Sequence, residues 1–176
     1  MSTQHCKSRK ACPDGWTSGA PVTKHAAMRY FLDTEYNGWG GALLSLALVS
    51  EHGEEIYLTL EWDGSLEPWV QRNVVPYLDT VPQTLVSPRM TREDAARTVA
   101  HFLAGDANPV IIADWPEDIA LLSALLVTGP GMMVEVPRLT FQFVELGSFS
   151  TAANSKVPHN ALHDARALRD HILGLE

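Results

Sequence analysis

Hydrophobic positions along this 176-residue chain change their period several times, and each change marks an element. Arg29–Asp33 reads as a compact strand, Tyr-Phe-Leu running into acids. Ala42–Ser50 is a continuous apolar run of the kind a buried strand shows, closed by a turn at His52-Gly53. Glu54–Trp62 alternates, with Ile56, Leu58 and Leu60 set against Tyr57, Thr59 and Glu61. These three strands in succession predict an antiparallel meander. Leu66–Leu78 reads as a short helix broken at Pro76. Thr91–Leu103 is a better helix, with Thr91 as its cap and Ala95, Val99, Phe102 and Leu103 as an apolar stripe. Pro109–Ala113 predicts a short buried strand, followed by a helix through about Val127 that Gly129-Pro130-Gly131 ends. Arg138–Leu146 reads as a further strand, and Ala161–Leu173 as a helix with Leu162, Ala165, Leu168 and Ile172 on one face. Strands followed by alternating α and β elements predict an α/β domain with a mixed sheet, an antiparallel meander plus parallel strands, flanked by helices.

Residues 1–27 break this regularity. They are polar, carry Pro13, Gly15, Gly19 and Pro21, and show no sustained apolar period, so they read as a disordered tail or a leader or appended segment. The domain is expected to occupy residues 28–176, with Met28 immediately before the first strand. Composition is that of an ordinary folded protein, 45% hydrophobic and 19% charged. The longest apolar runs, Ala42–Val49 and Ile119–Val127, are too short to span a bilayer, which leads to an expected cytoplasmic location and no membrane partner. Cys6 and Cys12 both fall in the irregular segment, so no disulfide framework is expected.

The net charge is −8, and residues 28–176 carry 9 basic and 20 acidic residues, a balance of −11. Such a domain does not grip long duplexes through a cationic face, because phosphates are normally met by Lys and Arg. It could hold one strand end if divalent cations supplied the positive charge.

Three places carry chemistry. Asp33-Thr34-Glu35 ends the first strand, and alternate strand residues share a side, so both carboxylates can face one point. Their bland reading is two solvated acids past the strand's end. Asp114-Trp115-Pro116-Glu117-Asp118 leads from a buried strand into a helix, where Asp114 and Glu117 read as a capping box and Asp118 sits in the first turn. His159-Asn160-Ala161-Leu162-His163-Asp164 follows Pro158, with His159 in the loop and Asp164 in the helix's first turns. His159 and His163 are spaced like a zinc pair, but no further His or Cys cluster completes a tetrahedral site, and Asp164 could simply complement the helix N-terminus. Together these places provide four carboxylates and a histidine. Hard Mg²⁺ or Mn²⁺ prefers such oxygens, and two ions about 4 Å apart promote phosphodiester hydrolysis while a histidine takes the water's proton.

In this combination the chain resembles the DEDDh (DnaQ-like) 3′→5′ exonucleases. Asp33-x-Glu35 looks like the family's first motif, Asp118 followed by Ile-Ala-Leu-Leu its second, and His159-x-Ala161-x-x-Asp164 its third, across residues 28–176. The resemblance implies a ribonuclease H-like fold, two Mg²⁺ or Mn²⁺ ions on Asp33, Glu35, Asp118 and Asp164, and His159 as general base. Many relatives have His-Asn and then Phe before the second-motif Asp. Here Asp114 and Glu117 take those places, so Asp114 competes with Asp118 for the ligand role, and Asp118 is preferred. The opening Arg-Tyr-Phe-Leu-Asp-Thr-Glu-Tyr is most similar to small bacterial and phage exoribonucleases, including a mycobacterial one described as dimeric. That implies a homodimer acting on single-stranded RNA 3′ ends, with DNA as the alternative, and releasing nucleoside 5′-monophosphates. Thr34, Tyr36 and Asn37 fall where relatives meet the terminal nucleotide. Trp39 reads either as a base platform or as packing, and Trp62, Trp69 and Trp115 as core or interface aromatics. Arg166 and Arg169 read as solvated helix charges or phosphate contacts. A non-catalytic binding module on the same scaffold is the remaining alternative.

Overall fold

The computed structural model describes residues 27–174. The irregular segment 1–27, except for its last residue, and both cysteines lie outside the described residues.

Three antiparallel strands open the fold: β1 (Arg29–Tyr36), β2 (Leu43–Ser50) and β3 (Glu55–Thr59). β1 runs three residues further than its apolar pattern suggests. Asp33 pairs with Ala47 and Glu35 with Ser45, so the acids stand inside the ladder, not past its end. β3 is shorter than expected; beyond Thr59 only a single Leu60–Met90 bridge continues it. The 66–78 segment becomes a short helix, α1 (Pro68–Asn73), and a separate single turn at Val75–Tyr77 that begins a residue before Pro76. Proline lacks the N–H that would continue the helix.

Helix α2 (Arg92–Leu103) starts as read, with Thr91 Oγ1 accepting from the Asp94 N–H at 3.2 Å. Next come β4 (Val110–Ala113) and α3 (Pro116–Leu126). The Gly-Pro-Gly segment does not end α3. The helix stops at Leu126, and a small hairpin of β5 (Val127–Gly129) and β6 (Met132–Met133) turns on Gly131. β7 is confined to Thr140–Phe143, and the rest of 138–146 is irregular. A four-residue turn, α4 (Thr151–Asn154), precedes the last helix, α5 (Ala161–Gly174).

The five-stranded sheet has the order β3-β2-β1-β4-β7, with β4 parallel to both β1 and β7. It is a mixed sheet with helices on both faces. Tyr30 and Leu32 of β1 join Val99 and Leu103 of α2 and Leu122 and Leu125 of α3 in one core. Phe31 packs with Leu168 of α5 on the opposite face, and Ala47 and Val49 of β2 pack with Ala161, Leu162 and Ala165 of that helix. The alternation of β1 therefore decides where its acids go. Asp33 and Glu35 share the parity of Phe31 and face α5, while Thr34 shares that of Leu32 and faces α3. Among the described residues no helix is long and apolar enough to cross a membrane.

Candidate functional site

Parallel pairing brings the second acidic segment to the first. Phe31 of β1 is level with Ile112 of β4, so continuing that register by two residues sets Asp114, just past the end of β4, beside Asp33 within β1. Asp118 follows one helical turn later. It is almost wholly buried, and its Oδ1 accepts from both the Thr34 hydroxyl at 2.5 Å and the Thr34 N–H at 3.2 Å. The middle residue of the first motif thus anchors the second motif to β1.

The third motif is built on a left-handed residue. His159 has φ of 61°, a conformation that non-glycine residues rarely hold and that costs about 1–3 kcal/mol. Its own N–H donates to Asp164 Oδ2 at 3.2 Å, tying loop to helix. Asn160, fully buried, starts α5: its Oδ1 accepts from the Leu162 and His163 N–H groups, and its Nδ2 donates to Tyr77 O at 2.8 Å. His163 turns away, with Nε2 at 3.0 Å from Thr80 O, so the two histidines do not share a ligand point.

These elements converge on one cavity of about 380 Å³, lined by Asp33, Glu35, Asp118, Asp164 and His159 together with Thr34 and Tyr36. Potential ligand atoms of Glu35, His159 and Asp164 lie within 4.8 Å of one another, as do those of Asp33, Asp114 and Asp118. Asp114 and Asp118 are therefore not exclusive alternatives: both stand beside Asp33, and only Asp118 lines the cavity. No protein-family model matches this chain, and no curated protein sequence does. What the cavity can hold follows from its donors and their electrostatics.

The carboxyl groups are held far from their ordinary behaviour. Burial pushes Asp33 well above the usual carboxylate range, and Asp118, Glu35, Asp164 and Asp114 push it further by like-charge repulsion. Glu35 is raised to about 8 by burial and then by Asp164 and Asp118. Burial raises Asp118 to about 7, against the opposing hydrogen bond from Thr34, and raises Asp164 to about 6. Asp164 Oδ1 is buried with no hydrogen-bond partner. A buried oxygen left unpaired costs about 1–3 kcal/mol, and a cation in the cavity would recover that.

A pH prediction follows from these directions. Carboxyls raised above their unfolded values keep protons in the folded state that the unfolded chain has already lost, so stability falls as pH rises. The loss begins above the unfolded values near 4 and runs through the folded values of about 6, 7 and 8. Metal-free protein should melt higher at pH 5 than at pH 8, and Mn²⁺ at a hundredfold excess over its dissociation constant should raise the pH 8 melt by about 5–10 °C. Melting curves with EDTA and with Mn²⁺ across this range would check both; a metal-free melt rising from pH 5 to 8 contradicts the arrangement.

Several neighbours differ from their sequence reading. Asp114 and Glu117 form no capping box: Trp115 is the cap residue of α3, Asp114 Oδ2 accepts from Thr151, and Glu117 Oε1 accepts from the Gly40 N–H. That last bond pins the loop after β1 to α3. Tyr36 lines the cavity, and burial with the Glu117 charge lifts its phenol to about 12. Asn37 does not line it; its amide accepts from Glu67 N and donates to Ser65 O, bracing the loop before α1. Trp69 and Trp115 are not core residues. They are 50% and 57% exposed and line the cavity, with the Trp69 ring edge-on to His159 at 4.9 Å. Trp39 is almost fully exposed and packs no core, whereas Trp62 packs beside the Leu44 and Val70 cluster under the Arg89 guanidinium. Arg166 is not a lone helix charge, since it forms a partly buried pair with Glu55 at 2.5 Å, and Arg169 pairs with Asp170.

Proposed function

We propose that this chain is a divalent-metal-dependent 3′→5′ exonuclease of the DEDDh type, acting on single-stranded RNA through a ribonuclease H-like domain. The observation that carries this reading is the meeting of Asp33, Glu35, Asp118, Asp164 and His159 in one cavity, although they come from three separate stretches of chain. The sheet order, with β1 between an antiparallel partner and a parallel one, is compatible with that fold.

The donors fit Mg²⁺ or Mn²⁺. They are hard carboxylate oxygens, mutually repelling and buried, and one of them lacks any partner. Asp33, Glu35, Asp118 and Asp164 would hold the ions, with Thr34 fixing Asp118 in place. Bound divalent cations supply Lewis acidity toward the phosphodiester and make water a stronger acid. His159 stands at the cavity wall, on the loop before α5, where its ring can accept the proton of the attacking water. Water adds to the last phosphorus, the bond to the upstream O3′ breaks, and that oxygen takes a proton. The products are a nucleoside 5′-monophosphate and a strand one residue shorter. Trp69 buttresses the His159 ring, and Tyr36 lies where the terminal nucleotide would enter.

The test is incubation of the purified protein with 3′-labelled and 5′-labelled single-stranded RNA, with Mn²⁺, Mg²⁺ or EDTA. Stepwise shortening from the 3′ end that needs metal is expected, with mononucleotide as the first labelled product. A matched DNA strand in parallel reads the sugar preference. Failure to shorten either strand with any metal overturns the proposal and favours a binding module.

A further inference from the structure

Hydrogen-bond donors around the acid cavity are unevenly spent. Asp118 accepts from the Thr34 hydroxyl and N–H, Asp164 from the His159 N–H, and Asp114 from the Thr151 hydroxyl. Among the described residues no hydrogen bond reaches the Glu35 carboxylate. One hydroxyl close by is equally unspent. Ser45 of β2 is fully buried, and its Oγ has no hydrogen-bond partner.

Strand register sets these two groups side by side. Ser45 is directly opposite Glu35 in the β1–β2 ladder, with Thr59 of β3 on its other side. Residues opposite one another in an antiparallel pair share a face, with Cβ atoms about 4.5–5.5 Å apart. Ser45 has the parity of Ala47 and Val49, so it faces α5 as Glu35 does. Tyr57 of β3 packs in the same cluster under that helix. Burial raises its phenol, the Ser45 hydroxyl lowers it and the Glu35 charge raises it again, so the three polar groups are neighbours. The Tyr57 hydroxyl gives its one hydrogen to Leu78 O at 2.7 Å, and toward Ser45 it can only accept. Of the acceptors beside Ser45, the carboxylate is the stronger.

We propose that Ser45 is a positioning residue for Glu35: its hydroxyl donates to the Glu35 carboxylate when a divalent cation is bound there and fixes the carboxylate's orientation. This rests on the reading of the acid cavity as a cation site. Thr34 already holds Asp118 in this way. Donors behind a ligating carboxylate orient it and raise metal affinity. The buried hydroxyl disfavours folding while it is unpaired, and loading the site removes that penalty.

The experiment measures Mn²⁺ binding to the full chain, from the electron paramagnetic resonance of the free ion, for wild type and Ser45→Ala. Melting curves of both proteins in EDTA accompany it. Ser45→Ala should bind Mn²⁺ about tenfold more weakly, within the range that such outer partners contribute. Its metal-free melt should equal or exceed that of wild type, because alanine removes a buried hydroxyl that has no partner. A residue that only held the fold together would lower both. In Mn²⁺-loaded crystals of the wild type, Ser45 Oγ should lie about 2.5–2.7 Å from a Glu35 oxygen. Unchanged Mn²⁺ affinity in Ser45→Ala, or a lower metal-free melt, overturns the assignment and leaves the exonuclease reading standing. A loaded structure in which Ser45 stays unpaired does the same. Absence of Mn²⁺ binding by wild-type protein removes the cation site itself, and with it both the exonuclease reading and the role of Ser45.

Discussion

Asp33→Asn should lower metal-dependent RNA hydrolysis by about a thousandfold or more, while making the metal-free protein more stable at pH 8. Asp33 belongs to one group of donors, with ligand atoms of Asp114 and Asp118 within 4.8 Å, and Glu35 and Asp164 of the other group also repel it. Asparagine keeps the shape and one oxygen but gives up the negative charge on which cation binding depends. The same change removes a buried group whose proton affinity burial and four acids have raised. In the wild type that group opposes folding increasingly as pH climbs above the unfolded carboxyl range, and asparagine does not titrate. The variant should therefore melt above wild type at pH 8 without metal, and the gap should close toward pH 5. With Mn²⁺ the order should reverse, since only wild type gains fully from binding. Loss of activity together with a lower metal-free melt at pH 8 would mean that Asp33 is a structural residue.

His159→Ala should cost about 10²–10⁴-fold in kcat, the range a general base contributes, with Mn²⁺ affinity changed by less than about threefold. The geometry makes this a sharp question. A ring nitrogen of His159 lies within 4.8 Å of Glu35 and Asp164 oxygens, close enough for a ligand role as well. Truncation at Cβ leaves the His159 N–H bonded to Asp164 Oδ2, so the carboxylate stays tethered. His159→Asn serves as the companion variant, because asparagine tolerates the left-handed backbone at φ 61° better than alanine. If both variants lose metal affinity in proportion to kcat, His159 is a ligand and the base must be sought elsewhere.

The acids of β1 were legible because the strand period says which side chains share a face, and the His159-to-Asp164 spacing was legible because a loop–helix junction is a local structure. Tertiary partners were not. Asp114 looks like a helix cap, and only the parallel pairing of β4 with β1 reveals that it ends beside Asp33. Trp69 and Trp115 read as packing because bulky aromatics usually pack, and their exposure depends on how α1 and the 114–116 turn meet the cavity. β7 has all four residues exposed at the sheet's edge, so no buried face imposed a period on its sequence or marked its ends. Arg166 was misread for a similar reason, since its partner Glu55 is 111 positions away.

The central claim is that the five side chains gather around divalent cations, and anomalous diffraction from crystals grown with Mn²⁺ addresses it without passing through activity. Two manganese peaks inside the cavity, flanked by Asp33, Glu35, Asp118 and Asp164, are predicted. A cavity free of anomalous signal at saturating Mn²⁺, or manganese found only at other acids of the surface, would contradict the account.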